Sequence, residues 1–252
     1  MADTYQINAG TTLTRFVQLQ GGRDDIHLTL EAGSSLDLYC VEQEGGQRDV
    51  KIDIHEGARL NLVSLTLHEQ EGHLHLHVRL LGAGAEAHLN GAVIGTGAMN
   101  SQQELLVEHC VEGCQSTMLY KQVLGGESTG LIAGRVLVDA GAQKSLSEQT
   151  FASLLTSPYA RAMAQPQLEI YADDVRCNHG ATVGKLNEAA LFYMRQRGIP
   201  EPEACLLLQH AFVGDVLQHV TNEGHKAKLT ALVEQRFRGQ INRCQVCHQC
   251  HE

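Results

Sequence analysis

Cys177 and His179, within Leu168–Gly184 (LEIYADDVRCNHGATVG), are the residues best placed to do chemistry. Two apart on an extended segment, they project from one face with Cα atoms roughly 7 Å apart. A thiolate and an imidazole on one face make half of a four-ligand metal or iron–sulfur site. The other half must come from elsewhere, most simply from a partner subunit. A core cysteine beside a capped loop histidine is the plainer alternative. Asp173 and Asp174, just before them, could act as acid and base in a sugar-cleaving β-helix enzyme. Adjacent strand residues face opposite ways, however, so one cleft would receive only one of the pair. A role in the turn, or pairing with Arg176, competes with that reading.

A second group of donors ends the chain. CQVCHQCHE holds Cys244, Cys247, His248, Cys250 and His251. A CxxC spacing lets both sulfurs meet one ion, and Cys250 and His251 could complete a tetrahedron around Zn or Fe. CQVCH also matches the c-type haem attachment pattern, a reading at odds with the lack of an export signal. A tail with incidental thiols is the alternative. In HLHLHV, His73, His75 and His77 alternate with Leu74, Leu76 and Val78, so the leucines are expected inside and the histidines on a solvated face. His27, His55 and His88 do not fall into a column with that run. Cys40 and Cys110 occupy apolar positions and read as buried spectators. Cys114 stands where related segments place Thr, Ser or Ala, as a small turn residue.

The elements that must position these residues are repetitive. INAGTTL, LEAGSSL, IHEGARL and LGAGAEA, with fainter CVEGCQS and VDAGAQK, place Gly10, Gly33, Gly57, Gly84, Gly113 and Gly141 at intervals of 23, 24, 27, 29 and 28 residues. A recurring glycine marks a corner of positive φ. Between the corners, IHLTL and VKIDI alternate apolar and polar residues. A short-stranded repeat buries its apolar face only by stacking, which predicts a right-handed parallel β-helix, a β-solenoid, over residues 1–183. A β-sandwich is the alternative. Residues 184–240 read as helical: Glu188–Arg197 before Gly198 and Pro200, a second helix opened by Pro202, and a third from His225 to Arg238. Short connections predict a compact cap on the solenoid's end, followed by the tail at 241–252.

Composition narrows the function. Of 252 residues 43% are hydrophobic and only 4% aromatic, with no Trp and 25 Gly, which suits narrow aliphatic layers rather than a deep aromatic pocket. A formal charge of −10 with scattered cations argues against nucleic acid. MADTYQINAG has neither a basic nor an apolar leader region, and no apolar run reaches membrane-spanning length, so a cytoplasmic protein with reduced thiols is expected.

LEIYADDVRCNHGATVG, with the following LNEAALFYMRQRGIPEPEACLLLQHAFVGDVL, resembles the core of the SufB/SufD family, scaffold subunits of the SUF iron–sulfur assembly machinery. The form CNHGATVG is closer to the SufD type; the SufB type usually has a glutamate before its histidine and no glycine after it. The resemblance implies a β-helix and a non-catalytic scaffold holding an iron–sulfur cluster transiently. It places Cys177 and His179 at the interface with a SufB-like subunit or a second copy of this chain, where the family assembles its cluster. It also implies that a SufC-like ABC ATPase docks on the C-terminal helices, where Leu206, Leu207, Leu208, Phe212, Val213, Val216 and Leu217 form an apolar surplus. The chain has no GxxxxGK[ST], so nucleotide binding would fall to that partner. SufB-type subunits carry a sulfur-accepting cysteine inside the β-helix, which no motif maps onto Cys110 or Cys114. Family members usually have an N-terminal helical region; here the repeat begins almost at Met1, and a reduced, homodimeric system is one expectation. A β-helix carbohydrate-active enzyme using Asp173 or Asp174, and a metal-handling protein centred on the tail, are the rival functions.

Overall fold

The computed structural model describes the backbone of residues 2–246 and the side chains of residues 2–239. Among the described residues, fourteen strands alternate between two parallel seven-stranded sheets. The first sheet stacks β1 (Asp3–Ile7), β3 (Gly22–Leu30), β5 (Gly46–Ile54), β7 (Glu71–Leu80), β9 (Asn100–His109), β11 (Thr129–Val138) and β13 (Arg161–Ile170). The second stacks β2 (Thr12–Leu19), β4 (Ser35–Glu42), β6 (Arg59–Thr66), β8 (Glu86–Gly95), β10 (Gln115–Leu124), β12 (Leu146–Leu155) and β14 (Arg176–Lys185). Each coil therefore gives one strand to each sheet, and the chain is the β-solenoid that its repeat predicts.

Inward residues stack in register. Leu28, Ile52, Val78, Val107 and Val136 form one continuous aliphatic column up the first sheet. Every second position of β9 is buried, as period-two alternation requires. No strand buries this surface alone, so the core exists only through stacking.

The corners follow the glycines with one exception. Gly10, Gly33, Gly57, Gly84 and Gly113 all have positive φ. The N–H groups of Gly10, Gly33, Gly57 and Gly113 link successive coils, as from Gly33 to the Glu56 carbonyl at 2.8 Å. Gly141 does not take this role. DAGAQKS moves the corner three residues on, to Lys144 at φ 60, whose N–H donates to the Asp174 carbonyl at 2.6 Å. A second row of positive-φ glycines, Gly97 and Gly126, lies outside the recurring sequence unit and turns the opposite edge. Gly57 has φ +59, and a Cβ there would meet nothing within 4 Å. Gly57→Val should therefore cost only the backbone strain, about 1–2 kcal/mol in chemical denaturation. An unchanged midpoint would contradict a corner that needs the left-handed conformation.

Three helices follow: α1 (Glu188–Gln196), α2 (Glu201–Leu217) and α3 (Glu223–Val246). Asn187 caps α1 by accepting the Ala190 N–H at 3.0 Å, and Gly198 at φ +83 ends it. The helix α3 runs past the expected stop at Arg238. The helices also do not cap the solenoid's end, as the short connections predict, but lie along the outer face of the second sheet. That face is apolar: Tyr39, Val41, Val63, Leu65, Ile94 and Val123 pack against Leu206, Val213, Val216, Leu229, Val233 and Phe237. Strands covered on both sides read as continuous apolar runs, as in NLVSLTL and GAVIG. Polar ties fix the layer. Tyr39 Oη meets Thr221 Oγ1 at 2.8 Å, buried Lys121 pairs with Asp215, and Arg236 donates to the His68 carbonyl at 3.0 Å. The apolar surplus of α2 is thus largely consumed by the sheet, leaving Leu207 exposed with Phe192 and Tyr193 of α1. No helix among the described residues is long and apolar enough to cross a membrane.

Candidate functional site at the open last coil

Cys177 and His179 lie on β14, the last strand of the second sheet, which among the described residues pairs only with β12. Both occupy inward positions and end interior columns. Cys177 continues Leu36, Leu60, Ala87, Ser116 and Ser147. His179 continues Leu38, Leu62, Leu89, Met118 and Gln149. Both columns begin aliphatic and turn polar as they approach the site. His109 Nε2 meets Ser116 Oγ at 2.8 Å, and Ser116 Oγ meets Ser147 Oγ at 2.9 Å, one rung below Cys177. Gln149 donates to the Gln167 carbonyl at 2.9 Å, one rung below His179.

No further coil covers this end among the described residues. Cys177 is half-buried against the core, His179 is exposed, and Val183 on the same face is 51% exposed. Met163, Ile170 and Tyr171, on or beside β13, also stand in solvent. Desolvation raises the Cys177 thiol above its ordinary value, and a backbone hydrogen bond from Ser147 offsets part of that rise. At neutral pH the thiol is therefore protonated until a cation or a base displaces its proton.

The two free edges at this end differ. In a parallel ladder alternate residues turn their peptide groups to opposite neighbours. The Arg176 N–H bonds to Ser145 beside β12, so the peptide groups of Cys177, His179, Ala181 and Val183 face the free edge. On β13 the same rule puts Pro166 on the free side, because the Arg161 N–H bonds to Ser128 beside β11. Proline blocks that edge at its centre; β14 carries none. A ten-residue strand edge left uncovered is a template for another strand.

The other sequence candidates separate from this site. Asp173 and Asp174 sit exposed on the corner after β13, where the Asp174 N–H donates to Gln143 Oε1 at 2.9 Å. Neither pairs with Arg176, so the turn role is the one realised. His73, His75 and His77 face outward on β7, beside Glu104 (3.5 Å), Asp49 (2.8 Å) and Glu108 (3.2 Å) respectively. His27 does share the row of His77, with Lys51 between them. Cys114 is a buried corner residue with Sγ 3.4 Å from the Gly82 carbonyl. Cys40 and Cys110 are only partly covered; desolvation nevertheless pushes their thiols to about 12 and about 11, which keeps them inert. Cys247, Cys250 and His251 lie outside the described residues, and Cys244 is described only as backbone of α3. Among the described residues no group of three or more His, Cys, Asp or Glu could hold a metal ion. Sequence reasoning missed Ser116, Ser147, Gln149 and His109, whose signal is polarity at the inward positions of otherwise apolar strands.

Residues 22–212 match the family model of the SufBD core domain of SUF system FeS cluster assembly. The chain belongs to that family. It is 35% identical over 133 residues to the iron–sulfur cluster assembly protein SufD of Escherichia coli K12, covering 53% of this chain and 31% of that protein. It is 29% identical over 159 residues to SufD of Bacillus subtilis 168, covering 63% and 36%. To the SufBD family protein ML0594 of Mycobacterium leprae it is 26% identical over 224 residues, covering 84% and 57%. The chain thus spans between about a third and somewhat over half of these relatives' length. A SufD-like role in SUF iron–sulfur cluster assembly is the function the family supports.

Proposed function

We propose that this chain is a non-catalytic scaffold subunit of the cytoplasmic SUF system, contributing Cys177 and His179 to a cluster site at the interface with a second scaffold subunit. The observation that carries the reading is the position of both residues as last rungs of two interior columns, on the one strand edge at this end that proline does not block. The partner is a SufB-like subunit or a second copy of this chain, pairing along β14 and burying the exposed apolar residues of the last coil. The cluster is cargo rather than a resident cofactor. Two donors leave it incompletely ligated, so it assembles when the partner adds its own and departs when the interface rearranges. Iron binding at Cys177 releases the proton that desolvation holds there, and the exposed His179 imidazole can take it or ligate directly. In cells lacking the wild-type protein, Cys177→Ser and His179→Ala should each impair iron–sulfur enzyme maturation while the chain still folds. Normal maturation in both would remove the assignment.

A SufC-like ABC ATPase supplies the nucleotide chemistry, docking where α1 and the start of α2 leave Phe192 (62% exposed), Tyr193 and Leu207 uncovered. Phe192→Glu and Leu207→Glu should each weaken ATPase pull-down about tenfold or more with thermal stability nearly unchanged. Unaltered binding in both would place the contact elsewhere. The tail thiols Cys244, Cys247 and Cys250 with His251 keep the Zn or Fe site that their spacing allows as a separate proposal.

A further inference from the structure

The interior of the solenoid is not filled evenly. One inward row of the second sheet runs Val17, Cys40, Ser64, Gly91, Tyr120 and Phe151. In the later coils Tyr120 and Phe151 fill the space between the sheets, ring edge to face at 6.4 Å. Gly91 yields to them, since a Cβ there would stand 2.2 Å from Tyr120. In the first coils the same row offers only Val17, Cys40 and Ser64, and a cavity of about 360 Å³ opens between the sheets. Protein interiors rarely leave voids larger than a water molecule, whereas ligand sites begin near 300 Å³. Aliphatic side chains, among them Leu13, Leu28, Leu38, Val50, Leu62 and Leu74, form most of the wall. Water filling it would find few hydrogen-bond partners.

Two guanidinium groups line this cavity, and they differ. Arg48 is committed: its Nε stands 3.0 Å from Asp24, its Nη1 donates to the Gly22 carbonyl at 2.8 Å, and Glu42 lies 3.6 Å away. Arg15, on the inward face of β2 beside the exposed Tyr5 and Val17, donates only to the neighbouring Thr14 carbonyl at 3.3 Å. It has no carboxylate partner among the described residues, in a chain of net charge −10. An unpaired cation at the mouth of an aliphatic cavity selects an anionic head on an alkyl chain. We propose that the first coils form a binding site for a long-chain aliphatic carboxylate, its tail between the sheets and its head on Arg15.

Dansyl-undecanoate titrated into the full chain should bind saturably, with emission enhanced and blue-shifted, and palmitate should displace it. Cys40→Phe places in the first coils the ring that the later coils already have. It should weaken binding at least tenfold and leave thermal stability equal or higher. Arg15→Ala, at an exposed position, should weaken displacement by palmitate about tenfold and leave displacement by the matching alcohol unchanged. No saturable binding by the wild-type chain, or undiminished binding by Cys40→Phe, overturns the site. Equal weakening of acid and alcohol by Arg15→Ala, or of neither, overturns the assignment of the head group.

Discussion

Ala181→Pro is expected to leave the solenoid folded and to weaken the proposed association with a second scaffold subunit at least tenfold. Ala181 turns its peptide group to the free edge of β14, so proline removes no bond of the β12–β14 ladder. The ring takes away one edge N–H and stands where an added strand would approach. Sedimentation analysis should show association weakened at least tenfold, with thermal unfolding close to wild type. Thr182→Pro is the control, because its N–H faces β12 and its loss should lower stability instead. Association that survives Ala181→Pro would exclude this edge as the interface.

His109 is expected to make the protein markedly acid-sensitive. It interrupts the aliphatic column of Leu30, Ile54, Leu80 and Val138, is fully buried, and meets a partner only through Nε2. Its Nδ1 has no hydrogen-bond partner among the described residues, and burial pushes its pKa down to about 4 from 6.5. A depressed folded-state value means that unfolding takes up a proton. The neutral ring's stabilisation is therefore complete above pH 6.5 and is lost as pH falls toward 4, a difference of about 3 kcal/mol. Carboxylates titrate in the same window, so the test is a comparison. His109→Gln, which can still bond Ser116, should lose about 3 kcal/mol less unfolding free energy than wild type between pH 7 and pH 4. Parallel pH profiles for the two chains would show that His109 is not buried as a neutral ring.

Where one residue type answers one local requirement, sequence and structure agree. A corner of positive φ calls for glycine, so Gly10, Gly33, Gly57, Gly84 and Gly113 could be placed before any coordinates. The corner at Lys144 could not, because a longer loop shifted it and a non-glycine residue took the strained conformation. Period-two alternation likewise put Cys177 and His179 on one face. The same pattern did not say whether that face was core or solvent, since Ser116, Ser147 and Gln149 look like outward residues in a strand of either sense. The sequence does not place the helical layer, because the residues it covers are remote in sequence. Its cue was the loss of alternation in NLVSLTL and GAVIG, where both faces of a strand are buried. The apolar stripe of α2 carried no mark distinguishing a sheet beneath it from a partner above it.

The most direct test of the account is iron and acid-labile sulfide content after anaerobic reconstitution of the proposed scaffold complex, with the proposed second subunit and ATPase present. The wild-type complex should take up both. A Cys177→Ser, His179→Ala double variant that assembles equally well should retain less than about a tenth of that content. Full iron and sulfide in the double variant would contradict a cluster site at the last coil.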